Sequence, residues 1–214
     1  MPRTDWKVKL DATAFSVSQF PPEGVGECVP EIAVAGRSNV GKSTLVNALL
    51  GARLAHVGAT PGKTRSVNFY FVETEGGGSF RLVDLPGYGY AKRSKSERKG
   101  WSQLTSSYVE KRRSLILICH LVDFRHGLLA NDRLLQDWLD ERGKPVMVLF
   151  TKADKISGGK RRDMLRQYVR DGLKSVDVPI ITSGEERFGI DEAREFLQHF
   201  RNTKSNNPNG GDVF

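Results

Sequence analysis

The chain has 214 residues, 38% of them hydrophobic and 27% charged, with 22 glycines and two cysteines. That balance excludes wholesale disorder, a collagen-like repeat and a disulfide-stapled miniprotein; a folded chain this long buries about 70% of its extended surface without staples. Lys and Arg outnumber Asp and Glu by 33 to 25, a net charge of +8 with a sequence pI near 9.6, which points to a polyanionic partner.

The two cysteines, Cys28 and Cys119, are far apart and form no metal-ligand cluster, and Cys119 lies in an apolar run. A buried thiol and a reducing compartment are expected. The longest apolar candidate, Leu115 to Val122, is interrupted by His120 and falls well short of the ~20 residues that span a bilayer. The opening MPRTDWKVKLDATAF lacks the apolar core of a secretory signal. These features predict a cytoplasmic protein without a membrane partner.

In chain order, residues 1–30 read as an N-terminal extension that covers a sheet edge or a helix. Residues 31–35 (EIAVA) form a short apolar strand, followed by a Gly-rich turn and a helix over 43–50 that Gly51 ends. Residues 66–72 and 79–84 are β-branched and aromatic and are joined by Gly76–Gly78, the pattern of an antiparallel pair. The runs 115–123, 145–150 and 178–182 are continuously apolar, as in strands buried on both faces.

Residues 128–141, 160–173 and 191–200 have helical spacing, with Leu134, Leu135, Trp138 and Leu139 as one apolar face. Alternating strands and helices predict an α/β fold: a three-layer, mainly parallel six-stranded sheet with one antiparallel edge strand and helices on both faces. It fills 31–201 as one domain, and the polar 202–214 is expected to be a disordered tail.

Gly36-Arg37-Ser38-Asn39-Val40-Gly41-Lys42-Ser43 matches G-x-x-x-x-G-K-[ST] at every fixed position, between a strand and a helix, with Thr44 next. The glycines let successive N–H groups point into one concavity at the positive end of the helix, where phosphate oxygens bind. Lys42 is placed to reach the β- and γ-phosphates and the Ser43 hydroxyl to hold Mg²⁺.

Thr151-Lys152-Ala153-Asp154 follows an apolar strand. The Asp154 carboxylate accepts two hydrogen bonds from guanine N1–H and its amine, a pair that adenine lacks, and such a site discriminates by roughly 10⁴ in favourable cases. The Lys152 stem is expected to lie over the base. Thr182-Ser183-Gly184 ends the last strand, where a backbone N–H can meet guanine O6.

Asp84-Leu85-Pro86-Gly87 also follows a strand, with Asp84 reaching Mg²⁺ through water and the Gly87 N–H meeting the γ-phosphate. Gly62, Lys63, Thr64, Arg65 and Ser66 form the loop whose Thr64 hydroxyl supplies the second Mg²⁺ ligand in the triphosphate state only. Lys42, Thr64 and Gly87 are thus the groups expected to act on the transferred phosphate.

The motifs GRSNVGKS (36–43), TPGKTRSVNF (60–69), DLPGYGYAK (84–92), LVDFRHGLL (121–129) and TKAD (151–154) resemble the EngB family, bacterial GTPases of the Era/EngA/EngB group, over about 32–200. The resemblance implies a Ras-like P-loop G domain that binds GTP or GDP with Mg²⁺. It implies a role in large ribosomal subunit assembly, linked to normal cell division and septation. Ser183-Gly184 stands where the family has Ser-Ser.

Ras-like enzymes place a water-orienting Gln just after DxxG, whereas this chain has Tyr88. Weak intrinsic hydrolysis is therefore expected, stimulated by a partner or by K⁺. Asn39 is in the position that helps hold K⁺ in related GTPases, and it reads equally as a loop stabiliser. Between Lys92 and Arg113, eight basic residues (Lys92, Arg93, Lys95, Arg98, Lys99, Lys111, Arg112, Arg113) face Glu97 and Glu110, a net +6. This segment is the expected contact for rRNA of large-subunit precursors, while Trp101 and Tyr108 read better as core than as base-stacking platforms. A monomer is expected. Two other functions stay open: a nucleotide-stabilised binding module of the division apparatus, and a P-loop kinase for a small metabolite.

Overall fold

The computed structural model describes residues 6–23, 28–56, 66–75, 77–88 and 95–206, with the backbone alone at 95–102 and 205–206. Its frame is a seven-stranded sheet of β1 (Lys7–Ala14), β2 (Glu31–Gly36), β3 (Val67–Glu73), β4 (Ser79–Asp84), β5 (Leu115–Asp123), β6 (Val146–Thr151) and β7 (Ile180–Ile181), in the order β1-β3-β4-β2-β5-β6-β7. β4, β2, β5, β6 and β7 run parallel, and β3 pairs antiparallel with β4 on one side and β1 on the other.

All six residues of β2 and of β6 are buried, because helices cover both faces. The alternation along β2 sends Ile32 and Val34 to one core and Ala33 and Ala35 to the other. The first core packs under α1 (Lys42–Leu50) and α5 (Ile190–Asn206), through Leu45, Leu49 and Leu197. The second packs under α2 (Lys95–Lys111), α3 (Ala130–Asp140) and α4 (Gly158–Arg170), through Tyr108, Leu139 and Leu165.

The three-layer, mainly parallel fold is the one expected, with differences in detail. The sheet has seven strands rather than six, because Lys7–Ala14 of the lead-in pairs along the open side of β3. This strand is mostly exposed and carries a register shift between Leu10 and Ala12, so it shows weak apolar alternation and blunts the sheet edge with Lys7, Lys9 and Asp11. Helix α5 continues through Asn206, past the point at which the polar tail was expected to begin; residues 207–214 lie outside the described residues.

The apolar face expected of α3 also differs. Leu134 is 66% exposed, while Asp132 and Gln136 are buried beside Leu139. Asp132 is satisfied by hydrogen bonds at the edge of the candidate site. The Gln136 side-chain amide donates to Lys174 O and accepts from the Lys174 N–H.

Candidate nucleotide-binding site

The loop from β2 to α1 is shaped by backbone crowding and by left-handed residues. A Cβ on Gly36 would stand 2.9 Å from Val40 Cγ1 and 3.0 Å from Leu121 Cβ. Gly41 caps α1 at φ 98°, and Asn39 sits at φ 64°. Three residues into the turn, the Val40 N–H donates to Arg37 O. The first amides of α1 then open toward the loop, where the helix dipole favours an anion.

Strand pairing delivers the second element. Val34 of β2 lies opposite Asp84 of β4, so DLPG leaves the sheet beside the phosphate loop. The Lys42 ammonium is paired with the Asp84 carboxylate, and both side chains are buried. Leu85 is buried. Gly87 approaches the loop closely: a Cβ there would lie 3.2 Å from Ser38 Cα, N and Oγ. The next residue closes a parallel β-bridge, with the Ser38 N–H donating to Tyr88 O (2.9 Å) and the Tyr88 N–H to Gly36 O (3.2 Å).

The third element comes from the carboxyl end of β6. Thr151 Oγ1 donates to Val40 O at 2.6 Å, and Lys152 Nζ donates to Asn39 O at 2.7 Å. Lys152 adopts φ 59°, which turns the chain so that the Ala153 N–H donates to Thr182 O. Asp154 accepts from Ser183 Oγ at 2.7 Å and pairs with Lys155 at 2.8 Å. Lys155 above all, with Ser183, holds the Asp154 carboxyl below its ordinary range. Thr182-Ser183-Gly184 therefore meets TKAD, and a Cβ on Gly184 would stand 3.1 Å from Leu45 N and Thr44 C, bringing that loop against the first turn of α1.

Two arrangements at this site were not foreseen in the sequence reading. Asp123 ends β5 and accepts from the Arg125 guanidinium at 2.9 and 2.7 Å, with Lys152 Nζ 3.2 Å away. Burial raises its pKa, but these hydrogen bonds outweigh burial and hold it down to about 2. A carboxylate at a strand's carboxyl end was the available signal. The other group is centred on Tyr88, whose hydroxyl donates to Asp132 Oδ1 at 2.7 Å and lies 2.7 Å from His120 Nε2. Asp132 Oδ2 accepts the Leu129 N–H at 2.9 Å, and Arg37 Nε is 3.5 Å away. Burial, then the Asp132 charge, pushes the Tyr88 phenol far above its usual range. No sequence spacing connects Arg37, Tyr88, His120 and Asp132.

Gly62, Lys63, Thr64 and Arg65 lie outside the described residues, as do Lys92, Arg93 and the side chains of Lys95, Arg98, Lys99 and Trp101. Ser66 is buried, 3.5 Å from Asn68 Oδ1. In the basic segment Arg112 is corrected: it is buried and gives two hydrogen bonds to Glu31, at 2.9 and 2.6 Å. It is thus an internal ion-pair partner, not part of a surface for RNA. Tyr108 is fully buried and donates to the same carboxylate at 3.0 Å, which places it in the core.

The hydroxyl of Ser43 and the carboxylate of Asp84 are hard oxygen donors flanking the Lys42 position, a set suited to Mg²⁺. Among the described residues no three His, Cys, Asp or Glu side chains form a metal cluster. No described helix is long and apolar enough to cross a membrane.

A phosphate loop, a DLPG turn bridged to it and a TKAD turn backed by a serine loop define a P-loop GTPase, and residues 31–152 match the family model of 50S ribosome-binding GTPases. The chain is 45% identical over 184 residues to the probable GTP-binding protein EngB of Alkaliphilus oremlandii, covering 84% of each. It is 42% identical over 191 residues to that of Clostridioides difficile, covering 87% of this chain and 89% of the other. The chain belongs to the EngB family of GTP-binding proteins. Among solved structures, a probable GTP-binding protein EngB aligns with TM-score 0.64 at 22% identity, over 81% of this chain and 99% of that one. Era, in complex with MgGDPNP and a segment of 16S ribosomal RNA, aligns with TM-score 0.71 at 23% identity, over 87% of this chain and 59% of that one. At those identities the two structures speak for the fold.

Proposed function

We propose that this EngB-family GTPase is a slow switch in the cytoplasm that binds precursors of the large ribosomal subunit in its GTP state and leaves after hydrolysis, and that its link to normal cell division runs through this role. The observation that supports slow hydrolysis is the direction of Tyr88. Its hydroxyl is spent on Asp132 and His120 in a buried setting, so the side chain after DLPG does not reach toward an attacking water as a Gln would. The activating group then comes from a partner or from K⁺ near Asn39, which is exposed at the mouth of the loop. Turnover that is faster in KCl than in NaCl is expected, and equal rates would remove the cation.

Ser43 and Asp84 would hold Mg²⁺, with Thr64 as the further hydroxyl, and the bound ion neutralises phosphate charge. Lys42 is placed to bind the β- and γ-phosphates once it leaves Asp84. The guanine end is formed by Asp154, with Ser183 and Lys155 fixing its carboxylate in the ionised, acceptor state.

The ribosomal reading is supported by the description of the matched family model, by the net charge of +8 and by the rRNA bound to Era in a structure of the same fold. The test is co-sedimentation with purified ribosomal subunits, comparing GDP with a non-hydrolysable GTP analogue. Binding to the large subunit that strengthens with the analogue is expected. A folded, nucleotide-bound protein that ignores subunits in both states would leave the GTPase and take away the ribosome.

A further inference from the structure

We propose that Tyr88, anchored by Asp132 and His120, is a latch that holds the second switch against the phosphate loop and so sets the preference between GDP and GTP. The latch has a backbone half and a side-chain half. In the backbone half, the Arg37–Tyr88 bridge uses the Ser38 N–H and the Gly36 carbonyl. It also seats Gly87 on Ser38 so closely that even a methyl group there would stand 3.2 Å from the Ser38 backbone. A terminal phosphate held between the lip of the loop and the Gly87 amide needs that gap opened. A diphosphate ends one phosphate short and does not.

The side-chain half decides how firmly the gap is shut. The phenol has one proton and gives it to Asp132, so the 2.7 Å contact with His120 requires Nε2–H to donate to the phenol oxygen. Asp132 is itself held by the Leu129 N–H at the first turn of α3, with Arg37 close by, and is 1% exposed. The anchor is therefore a fixed acceptor on rigid elements, and Tyr88 can leave the loop only by giving up a hydrogen bond to a buried carboxylate. Arg37 couples the halves, since it lies between the two residues whose backbone groups form the bridge and its guanidinium faces the anchor. Tyr88 and Asp132 are positioning residues here.

Removal of the hydroxyl should loosen the latch without emptying the ring's site. For Tyr88→Phe, the affinity for a non-hydrolysable GTP analogue relative to GDP should rise about tenfold, the equivalent of one hydrogen bond to a charged group. A merely structural role would weaken both nucleotides together, and an unchanged or lower ratio overturns the latch. Asp132→Asn should shift the ratio in the same direction. The wild-type protein supplies an independent reading by amide hydrogen exchange: the Tyr88 amide should be protected with GDP and exchange faster with the analogue, and equal protection in both states overturns the proposal. The inference rests on GTP as the ligand; wild-type protein that bound no guanine nucleotide would overturn that reading and the latch together, whereas an unchanged ratio in a nucleotide-binding variant overturns the latch alone.

Discussion

At the scale of single residues, the site depends on side chains whose protons are fixed by their neighbours. Asp154 is kept ionised by Lys155 and Ser183, the state that the proposed acceptance of two guanine donors would require. Asp154→Asn should shift preference from guanine toward xanthine nucleotides, because an amide donates where the carboxylate accepted; competition binding with GTP and XTP reads this, and retained GTP preference would displace the base from that pocket. Lys42→Ala should lose most of the affinity for phosphate, measured by nucleotide titration. Asp123 carries a pH signature. Its folded pKa is lowered to about 2 from an unfolded value near ~3.9, so its contribution is fully present above pH ~4 and is lost as pH falls toward 2. A shift of that size is worth about 2–3 kcal/mol. Denaturant titrations should show wild type losing more stability than Asp123→Asn across that acid window.

At the scale of elements, α2 is pinned at one end. Its Tyr108, with Arg112 just beyond it, reaches Glu31 at the start of β2, a fully buried carboxylate that also faces Arg81 at 3.6 Å. This cluster sits at the amino end of the parallel strands, on the side of the sheet away from the candidate nucleotide loops, and ties the carboxyl end of α2 to the start of β2. Breaking a buried pair from one side leaves the other charge uncompensated and costs about 3–5 kcal/mol. Glu31→Gln should destabilise the fold by that order in denaturant melts while nucleotide preference stays as in the wild type. The sequence presented Arg112 only as one of eight positive charges; its neutralisation by Glu31 depends on residues 81 positions apart and has no local signal.

At the scale of the whole molecule, the proposed association with RNA should be salt-dependent, because the net charge is +8 and each phosphate neutralised releases counterions. Neutralising Lys95, Arg98 and Lys99 together should weaken rRNA binding and flatten the slope of log affinity against log salt by about 2–3. Unchanged binding would remove this segment from the interface. Arg112 is excluded from that surface by its burial, so a variant there tests stability and not RNA contact.

The sequence by itself determined the nucleotide class and most of the sheet. GRSNVGKS, DLPG and TKAD are local patterns in which glycine freedom, one lysine and one carboxylate carry the chemistry over a few consecutive residues. The buried parallel strands declare themselves through unbroken apolar runs such as LILICHLVD. Only the tertiary structure decided what lies between the motifs. β1 is polar and mostly exposed, so its membership of the sheet comes from its pairing with β3. Leu134 faces water while Asp132 is buried, the desolvation of its carboxylate being offset by hydrogen bonds from Tyr88 and Leu129 and by the nearby Arg37. The contacts among residues 37, 88, 120 and 132 exist only where β2, β5, the DLPG turn and α3 converge, and no periodicity along the chain encodes that meeting.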